Sequence, residues 1–108
     1  MLSKILNYYE RRQAFTHNDF TLSQLSNDLN SNNLYVGQAI ALTGMNFSEF
    51  TNKYRVEMVK KMIAQGDLNK YAFRHIYTKA GFRSQSAFNE NFKKFEGMTP
   101  NEYKKKRR

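Results

Sequence analysis

The sequence predicts an all-α protein of seven helices, in which one long helix joins two similar groups of shorter helices. Apolar residues recur every three or four positions through most of the chain, which is the period of a helix with one buried face. Helix-capping residues precede several of these segments. The single proline, Pro100, stands where a helix is expected to begin, a position that tolerates proline. No segment carries a convincing strand pattern.

The N-terminal segment, residues 1–19, is predicted to contain one amphipathic helix and a linker. The helix covers Leu2–Arg12, and its apolar residues share one face: Leu2, Ile5, Leu6 and Tyr9. Residues 13–19 are polar and lack a period, so we interpret them as a linker. The helix could pack on the rest of the domain or use its exposed face for dimerisation, and the sequence favours neither arrangement.

Residues 20–45 have the pattern of two short helices separated by a tight turn. Thr21 and Gln24 have the spacing of a capping box, which predicts the start of the first helix. Asn30-Ser31-Asn32 favours a turn, because these side chains bond to nearby backbone groups, and its last residue can cap a second helix. That second helix is predicted over residues 33–42.

A long helix is predicted over residues 46–65. Asn46 and Glu49 can cap its start, with Asn46 as the N-cap and Glu49 at the third position. Its apolar residues form two stripes, namely Phe47, Phe50, Tyr54, Met58 and Met62 in one, and Val56, Val59 and Ile63 in the other. A helix with two apolar stripes packs against neighbours on two sides, as a connector between two helical units would.

Residues 70–103 repeat the arrangement of a helix, a tight turn and a short helix. The first helix is expected over residues 71–79, followed by Gly81, which readily takes the left-handed conformation that ends a helix. Ser84 can cap the second helix, predicted over residues 85–95. The phenylalanines of that helix share one face: Phe88, Phe92 and Phe95. An inward aromatic face and an outward amide-bearing face after a tight turn indicate a helix-turn-helix.

The last helix has the clearest start signal in the chain. Thr99 is suited to the N-cap, Pro100 to the first helical position, and Glu102 to a capping box with Thr99. We expect Tyr103 to hold this helix on the core, and residues 104–108 to form a basic tail.

Positive charge is concentrated toward the C-terminus of the chain. The net charge is +9; residues 1–69 hold seven Lys and Arg against six Asp and Glu, whereas residues 70–108 hold eleven against three. A basic surface of this kind favours a polyanionic partner, such as nucleic acid or an anionic membrane. A solubilising tail is the simpler interpretation of the terminal run taken alone.

Other functional classes find little support. The chain has no cysteine, which excludes disulfides and thiolate metal sites and fits a reducing cytoplasm. No apolar run approaches the roughly 20 residues of a membrane span. His17 and His75 lie far apart with no carboxylate at metal-ligand spacing, and no phosphate-binding glycine loop or hydrolase motif occurs. We therefore expect neither catalysis nor a cofactor.

Over about residues 20–103 the chain resembles the C-terminal DNA-binding domain of the AraC/XylS family of bacterial transcription regulators. The matching residues in the second half are Ala80-Gly81-Phe82, Ser84, Ser86, Phe88, Phe92-Lys93-Lys94, Gly97, Thr99-Pro100 and Tyr103. Those in the first half are Thr21-Leu22, Leu25, Leu29, Tyr35, Gly44-Met45, Phe47, Phe50 and Tyr54-Arg55. The resemblance implies two homeodomain-like helix-turn-helix lobes within residues 20–108, which present their recognition helices to successive major grooves of double-stranded DNA.

The resemblance also implies a role and a wider context. Family members control transcription, activation being the commoner role, and usually carry a sensory or dimerising region N-terminal to this domain. We therefore expect the chain to be a fragment or the output module of a longer regulator, with residues 1–19 as part of the connection. RNA polymerase is a candidate protein partner, and dimerisation is expected through a region outside this domain.

The second recognition helix carries polar side chains where the major groove displays its donor and acceptor pattern. We expect Gln85, Ser86 and Asn89 to contact bases, because Gln and Asn can bond an adenine edge with two hydrogen bonds. Arg83 and Lys93 are expected to hold phosphates.

In the first recognition helix, Gln38 is the clearest base reader, and Asn33 is expected to help it. Leu34 could touch a thymine methyl group. The complete set of candidate DNA contacts is Asn33, Leu34, Gln38, Arg83, Ser84, Gln85, Ser86, Asn89 and Lys93.

Some features depart from the family pattern. Glu90 stands where relatives usually carry arginine, and its carboxylate would repel phosphate, although it could accept from a cytosine amine. Tyr77 stands where a small alanine is usual, and the first recognition helix is about one residue short before Gly44. Gly37 adds no side chain to that helix. A helical protein-interaction module that no longer binds specific DNA sequences is therefore the alternative hypothesis.

Overall fold

A long helix runs between two groups of shorter helices in the computed structural model, which describes residues 1–107. In chain order the α-helices are α1 Leu2–Arg12, α2 Leu22–Asp28, α3 Asn33–Ala41, α4 Phe47–Ala64, α5 Phe73–Ala80, α6 Gln85–Glu96 and α7 Pro100–Lys106. Two short 3-10 helices cover Ala14–Thr16 and Asp67–Asn69. No β-strand occurs among the described residues, so the predicted all-α fold of seven helices is confirmed.

Local capping explains where most of the helices begin. At the start of α4 the Glu49 N–H donates to Asn46 Oδ1 at 2.8 Å, and the Asn46 N–H donates to Glu49 Oε1 at 3.1 Å. Thr99 and Glu102 form the same reciprocal box at the start of α7. By contrast, α5 begins two residues later than predicted, after Ala72, whose side chain cannot accept a hydrogen bond and so gives no start signal.

The first lobe comprises α1, α2, α3 and the first half of α4, packed around an aromatic core. Tyr9 lies within it, and its ring is close to those of Tyr8, Phe15, Phe20, Phe50 and Tyr54. Two hydrogen bonds fasten α1 to the lobe: the Tyr8 hydroxyl donates to Asp28 Oδ2 at 2.6 Å, and the Tyr9 and Thr51 hydroxyls lie 2.8 Å apart. Helix α1 therefore packs on the rest of the domain, which is one of the two arrangements that the sequence left open.

The second lobe comprises the second half of α4 with α5, α6 and α7. Phe88 lies at its centre, and its ring is close to those of Phe73, Tyr77, Phe82 and Phe92. Tyr77, a larger residue than the alanine expected from the family resemblance, is accommodated by stacking on Phe88 at 5.1 Å between ring centroids. Tyr103 meets Phe92 edge-on at 5.3 Å and so holds α7 on the core, as predicted.

Residues 13–19 connect α1 to α2 and lie between the two lobes, and they are more ordered than the plain linker that their composition suggested. Ala14–Thr16 form a 3-10 helix, and Phe15 is buried in the first-lobe core. The Phe15 carbonyl accepts a hydrogen bond from Arg55 on α4. Gly81, which has a φ of 106°, packs against the same carbonyl group. A Cβ atom added to Gly81 would lie 2.3 Å from the Phe15 carbonyl oxygen.

Two groups of charged side chains also connect α4 to α6. Lys94 Nζ lies 3.0 Å from Glu49 Oε2. Lys60 Nζ lies 3.1 Å from Glu96 Oε1 and 3.3 Å from Glu57 Oε1. Although burial lowers the pKa of Lys60, its hydrogen bonds to these two carboxylates outweigh that effect and raise it.

The basic C-terminal run is partly helical. Helix α7 continues through Lys106, so Lys104, Lys105 and Lys106 belong to a helix and not to an irregular tail. Arg108, the last residue of the predicted tail, lies outside the described residues. In the described part of the chain, no helix combines the length and the apolar character needed to cross a membrane.

Candidate nucleic-acid interface

The α2–α3 pair forms the first helix-turn-helix. Asn30, which follows α2, has φ of 55°, a left-handed conformation that asparagine tolerates better than most residues. The chain then reverses, with the Ser31 N–H donating to the Ser26 carbonyl at 2.8 Å. Asn32 starts α3 by accepting from the Tyr35 N–H at 2.9 Å. The predicted turn and cap are therefore both present.

The α5–α6 pair forms the second helix-turn-helix. Gly81 ends α5 in the left-handed conformation. Ser84 caps α6, its hydroxyl oxygen accepting from the Ala87 N–H at 3.1 Å. Phe88 and Phe92 are buried, which turns the opposite face of α6 toward solvent. Helix α6 thus has the inward aromatic and outward polar faces that the sequence predicted.

All nine candidate DNA contacts are exposed to solvent. On α6 the accessible polar residues run along the helix: Gln85, Ser86, Asn89 and Lys93. Gln85, Asn89 and Lys93 also border a shallow cleft whose other wall includes the start of α7, and Glu90 lies in the same cleft. These side chains can therefore form hydrogen bonds or ionic contacts with a molecule that binds to the exposed face of α6.

Two of the candidates near the start of α6 also have structural roles. Ser84 uses its hydroxyl oxygen for the cap, which leaves the hydroxyl proton to donate elsewhere. Arg83 donates from Nη2 to the Asn18 carbonyl at 3.4 Å, a long hydrogen bond that leaves most of its guanidinium free to donate to an anion. The bond links Arg83 to the segment between α1 and α2.

On α3 the three candidates are accessible but differ in their contacts. Asn33 donates from Nδ2 to Ser23 Oγ at 3.1 Å, so it helps to tie α3 to α2 as well as facing solvent. Leu34 is 73% exposed, and Gln38 is exposed one turn further along.

Tyr35 and Leu42, which were not among the candidates, are also prominent on the first lobe, with 56% and 79% exposure. The only sequence feature that could have indicated their exposure is the absence of charged residues from α3. Apolar residues on a short helix are usually assigned to its buried face, and α3 has such residues on both faces.

The two helix-turn-helix units differ strongly in charge. Residues 13–52, which include the whole first unit, contain no Lys or Arg. Residues 70–103 hold six Lys and Arg against three Asp and Glu. One of the six, Lys94, is paired with Glu49, and its ammonium group lowers the pKa of that carboxyl group, as does the backbone N–H of Asn46. Attraction for a polyanion is therefore concentrated on the second unit.

Comparison with known proteins relates this architecture to regulators of transcription. A protein-family model described as a helix-turn-helix domain matches residues 33–106. An uncharacterised HTH-type transcriptional regulator of Bacillus subtilis, YtdP, is 31% identical over 91 residues, which are 83% of this chain and 11% of that protein. The chain thus spans about a tenth of the length of this curated relative.

Solved structures with the same fold cover nearly the whole chain. A protein of unknown function from Listeria innocua superposes with a TM-score of 0.79 at 31% identity, over 97% of this chain and 95% of that one. The C-terminal domain of AraT, a response regulator from Geobacillus stearothermophilus, gives 0.81 at 24% identity, over 97% and 84%. The C-terminal domain of the two-component response regulator yesN from Fusobacterium nucleatum gives 0.75 at 25% identity, over 94% and 95%.

Proposed function

Because the chain belongs to the family of AraC-type helix-turn-helix domains, we propose that it binds specific sequences in double-stranded DNA and controls transcription in a bacterial cytoplasm. The observation that carries this proposal is the pair of helix-turn-helix units packed on one helix, α4, with the outer faces of α3 and α6 exposed. In a helix-turn-helix the second helix enters the major groove. The proposal therefore assigns α3 and α6 as the two recognition helices.

The second unit is proposed to combine base reading with phosphate binding. Gln85, Ser86 and Asn89 are exposed in the first turns of α6, where a recognition helix contacts base edges. Each good two-bond contact from such an amide gives about 1–3 kcal/mol of discrimination between bases. Arg83 and Lys93 would bind phosphates on either side, and Ser84 would add a hydroxyl donor near the helix N-terminus.

The first unit is proposed to read the neighbouring major groove through Asn33, Leu34 and Gln38. Two such units on one rigid helix would contact half-sites about one helical turn apart, roughly 34 Å. Contacts from Lys and Arg to phosphate release counterions, so the affinity should fall steeply as salt is added.

We propose that this activity serves as the output of a longer regulator. The B. subtilis relative is much longer than the matched region, and two of the similar structures are C-terminal domains of response regulators. In this proposal residues 1–19 lead from a sensory or dimerising region into residues 20–108, and activation through RNA polymerase is the favoured mode of action.

The test is selection of duplexes from a random pool, followed by gel-shift titration of the selected and scrambled duplexes at about 50 and 200 mM salt. We expect tight binding to the selected duplex, weaker binding to the scrambled one, and loss of affinity at the higher salt concentration. Equal binding to both duplexes would limit the function to non-specific association. No binding even at low salt would favour the alternative of a protein-interaction module.

A further inference from the structure

The N-terminal part of α3 exposes two large uncharged side chains, Leu34 and Tyr35, beside the amides of Asn33 and Gln38. Leu34 and Tyr35, at the second and third positions of α3, are 73% and 56% exposed. Neither carries a formal charge at neutral pH, and Gln38 one turn later continues the face with a neutral amide. This surface can bury apolar area against a partner but offers no cation to it.

The charge around this face is also unlike that of the second unit. The first unit, residues 20–45, has a single charged residue, Asp28, whose carboxylate accepts a hydrogen bond from Tyr8 at 2.6 Å. On the second unit, Arg83 precedes α6 and Lys93 lies on the exposed polar face of that helix. Contacts made by the first unit should therefore depend little on salt, whereas those of the second should depend on it strongly.

We propose that the two units make different contributions to DNA binding. The first contacts thymine methyl groups through Leu34 and Tyr35, and the second makes most of the contacts to phosphate. This inference rests on the proposed DNA-binding function. In the major groove thymine is distinguished by its C5-methyl group, which apolar side chains contact directly. The first half-site should accordingly contain thymine at the positions that face the start of α3.

Replacing thymine by uracil removes this methyl group without changing the base-pairing edge, so it tests the inference directly. In a duplex selected by the protein, each thymine is replaced singly by deoxyuridine and the dissociation constant is measured. For each methyl group that the protein contacts we expect about a fourfold loss of affinity, the effect of one buried methylene-sized group. The same replacement should have no effect on Leu34→Ala at the position that Leu34 contacts, and Tyr35→Ala should behave likewise at its own position.

Leu42→Ala is the matched control. Leu42 is at the other end of the same helix and is even more exposed, at 79%, but it lies away from the N-terminal positions that reach base edges. Leu42→Ala should keep the full sensitivity to uracil. All three substitutions remove exposed side chains, so unchanged melting temperatures would show that the fold is retained.

The salt dependence supplies a second, independent readout. For Arg83→Ala and Lys93→Ala we expect the slope of log affinity against log salt to fall by about 0.9 for each phosphate that the variant no longer binds. Leu34→Ala should weaken binding and leave this slope unchanged.

Several outcomes would refute these different roles of the two units. Specific DNA binding that is indifferent to uracil, or equally sensitive in Leu34→Ala and wild type, would refute methyl reading while leaving the proposed function intact. The exposed face of α3 would then be available to a protein partner. Absence of any DNA binding would overturn the proposed function and this inference together.

Discussion

Arg55 on α4 donates from Nε to the carbonyl of Phe15 at 2.7 Å, across 40 residues of sequence. The same guanidinium donates from Nη2 to the His17 carbonyl at 3.1 Å and from Nη1 to Asn52 at 3.0 Å. Burial lowers the pKa of Arg55, but a guanidinium group stays protonated in proteins. One charged group thus holds the segment between the lobes in place, directly beside Gly81.

Arg55→Ala should destabilise the domain by about 2–4 kcal/mol, because it removes charged donors from two backbone carbonyls. Arg55→Lys should recover only part of this, since an ammonium group cannot reproduce the planar, forked arrangement of donors. Urea unfolding measures both, and Lys53→Ala, an exposed change on the same helix, is the control. If Arg55→Ala were as stable as Lys53→Ala, the segment would be held by other contacts.

Two glycine substitutions should have opposite effects on the free energy of unfolding. Gly81→Ala should cost about 2 kcal/mol or more, because φ is 106° and the new Cβ would lie 2.3 Å from the Phe15 carbonyl oxygen. Gly37→Ala should stabilise α3 by about 0.5–1 kcal/mol, because nothing lies within 4 Å of its Cβ position. Thermal melts of the two variants in parallel provide the comparison. A tolerated Gly81→Ala would mean that the backbone near Gly81 and Phe15 can shift at little cost in free energy.

Phe88→Ala should destabilise the second lobe by about 3–5 kcal/mol, the range for truncating a large core side chain. Phe88 is 1% exposed, and four other aromatic rings surround it. Denaturant unfolding gives the value, with Tyr71→Ala as an exposed aromatic control. A destabilisation of less than about 1 kcal/mol would show that the second lobe is packed in a different way.

The Glu49–Lys94 pair should make stability depend on pH in the acid range. The hydrogen bond from Lys94 lowers the pKa of Glu49 from its ordinary value of 4.5, so the ionised carboxylate favours the folded state. That contribution is complete above pH 4.5 and is lost as the pH falls through the folded-state pKa. Glu49→Gln should therefore lower the Tm at neutral pH, and the difference from wild type should shrink as the solution is made acidic. A difference that stays constant with pH would point to the altered cap at Asn46 alone.

Gln85→Ala combined with Asn89→Ala should relax sequence preference without unfolding the domain. Both side chains are exposed on α6, so their removal takes away base contacts and little packing. Selectivity is the ratio of affinities for the selected and scrambled duplexes, and we expect it to fall by about tenfold or more. The control, Asn7→Ala with Gln65→Ala, removes two exposed amides from other parts of the surface. Unchanged selectivity in the first variant would show that these residues do not read bases.

Much of the fold could be predicted because its signals are local. The start of α7 is set by three residues within a stretch of four, Thr99, Pro100 and Glu102, and this signal does not depend on contacts with distant parts of the chain. The exposed face of α6 followed in the same way from the spacing of its phenylalanines. The start of α5 could not be found, because Ala72 offers no cap. The roles of the exposed residues in DNA binding stay predictions.

The order in residues 13–19 could not be predicted for a different reason. Phe15 is one aromatic residue in a polar run, and nothing nearby in the sequence shows what it packs against. Its carbonyl is held by Arg55, and the space beside it is filled by Gly81, both far along the chain. Periodicity reports which residues share one helix face, whereas contacts of this kind depend on how distant elements are brought together.

The fastening of α1 has a mechanical consequence. Tyr8 bonds to α2, Tyr9 bonds to α4, and the turn that follows is braced between Arg55 and Gly81. Because these contacts reach both lobes, we expect a movement imposed on α1 to shift α3 and α6 together; under the proposed function, both helices would then meet or leave the duplex at the same time.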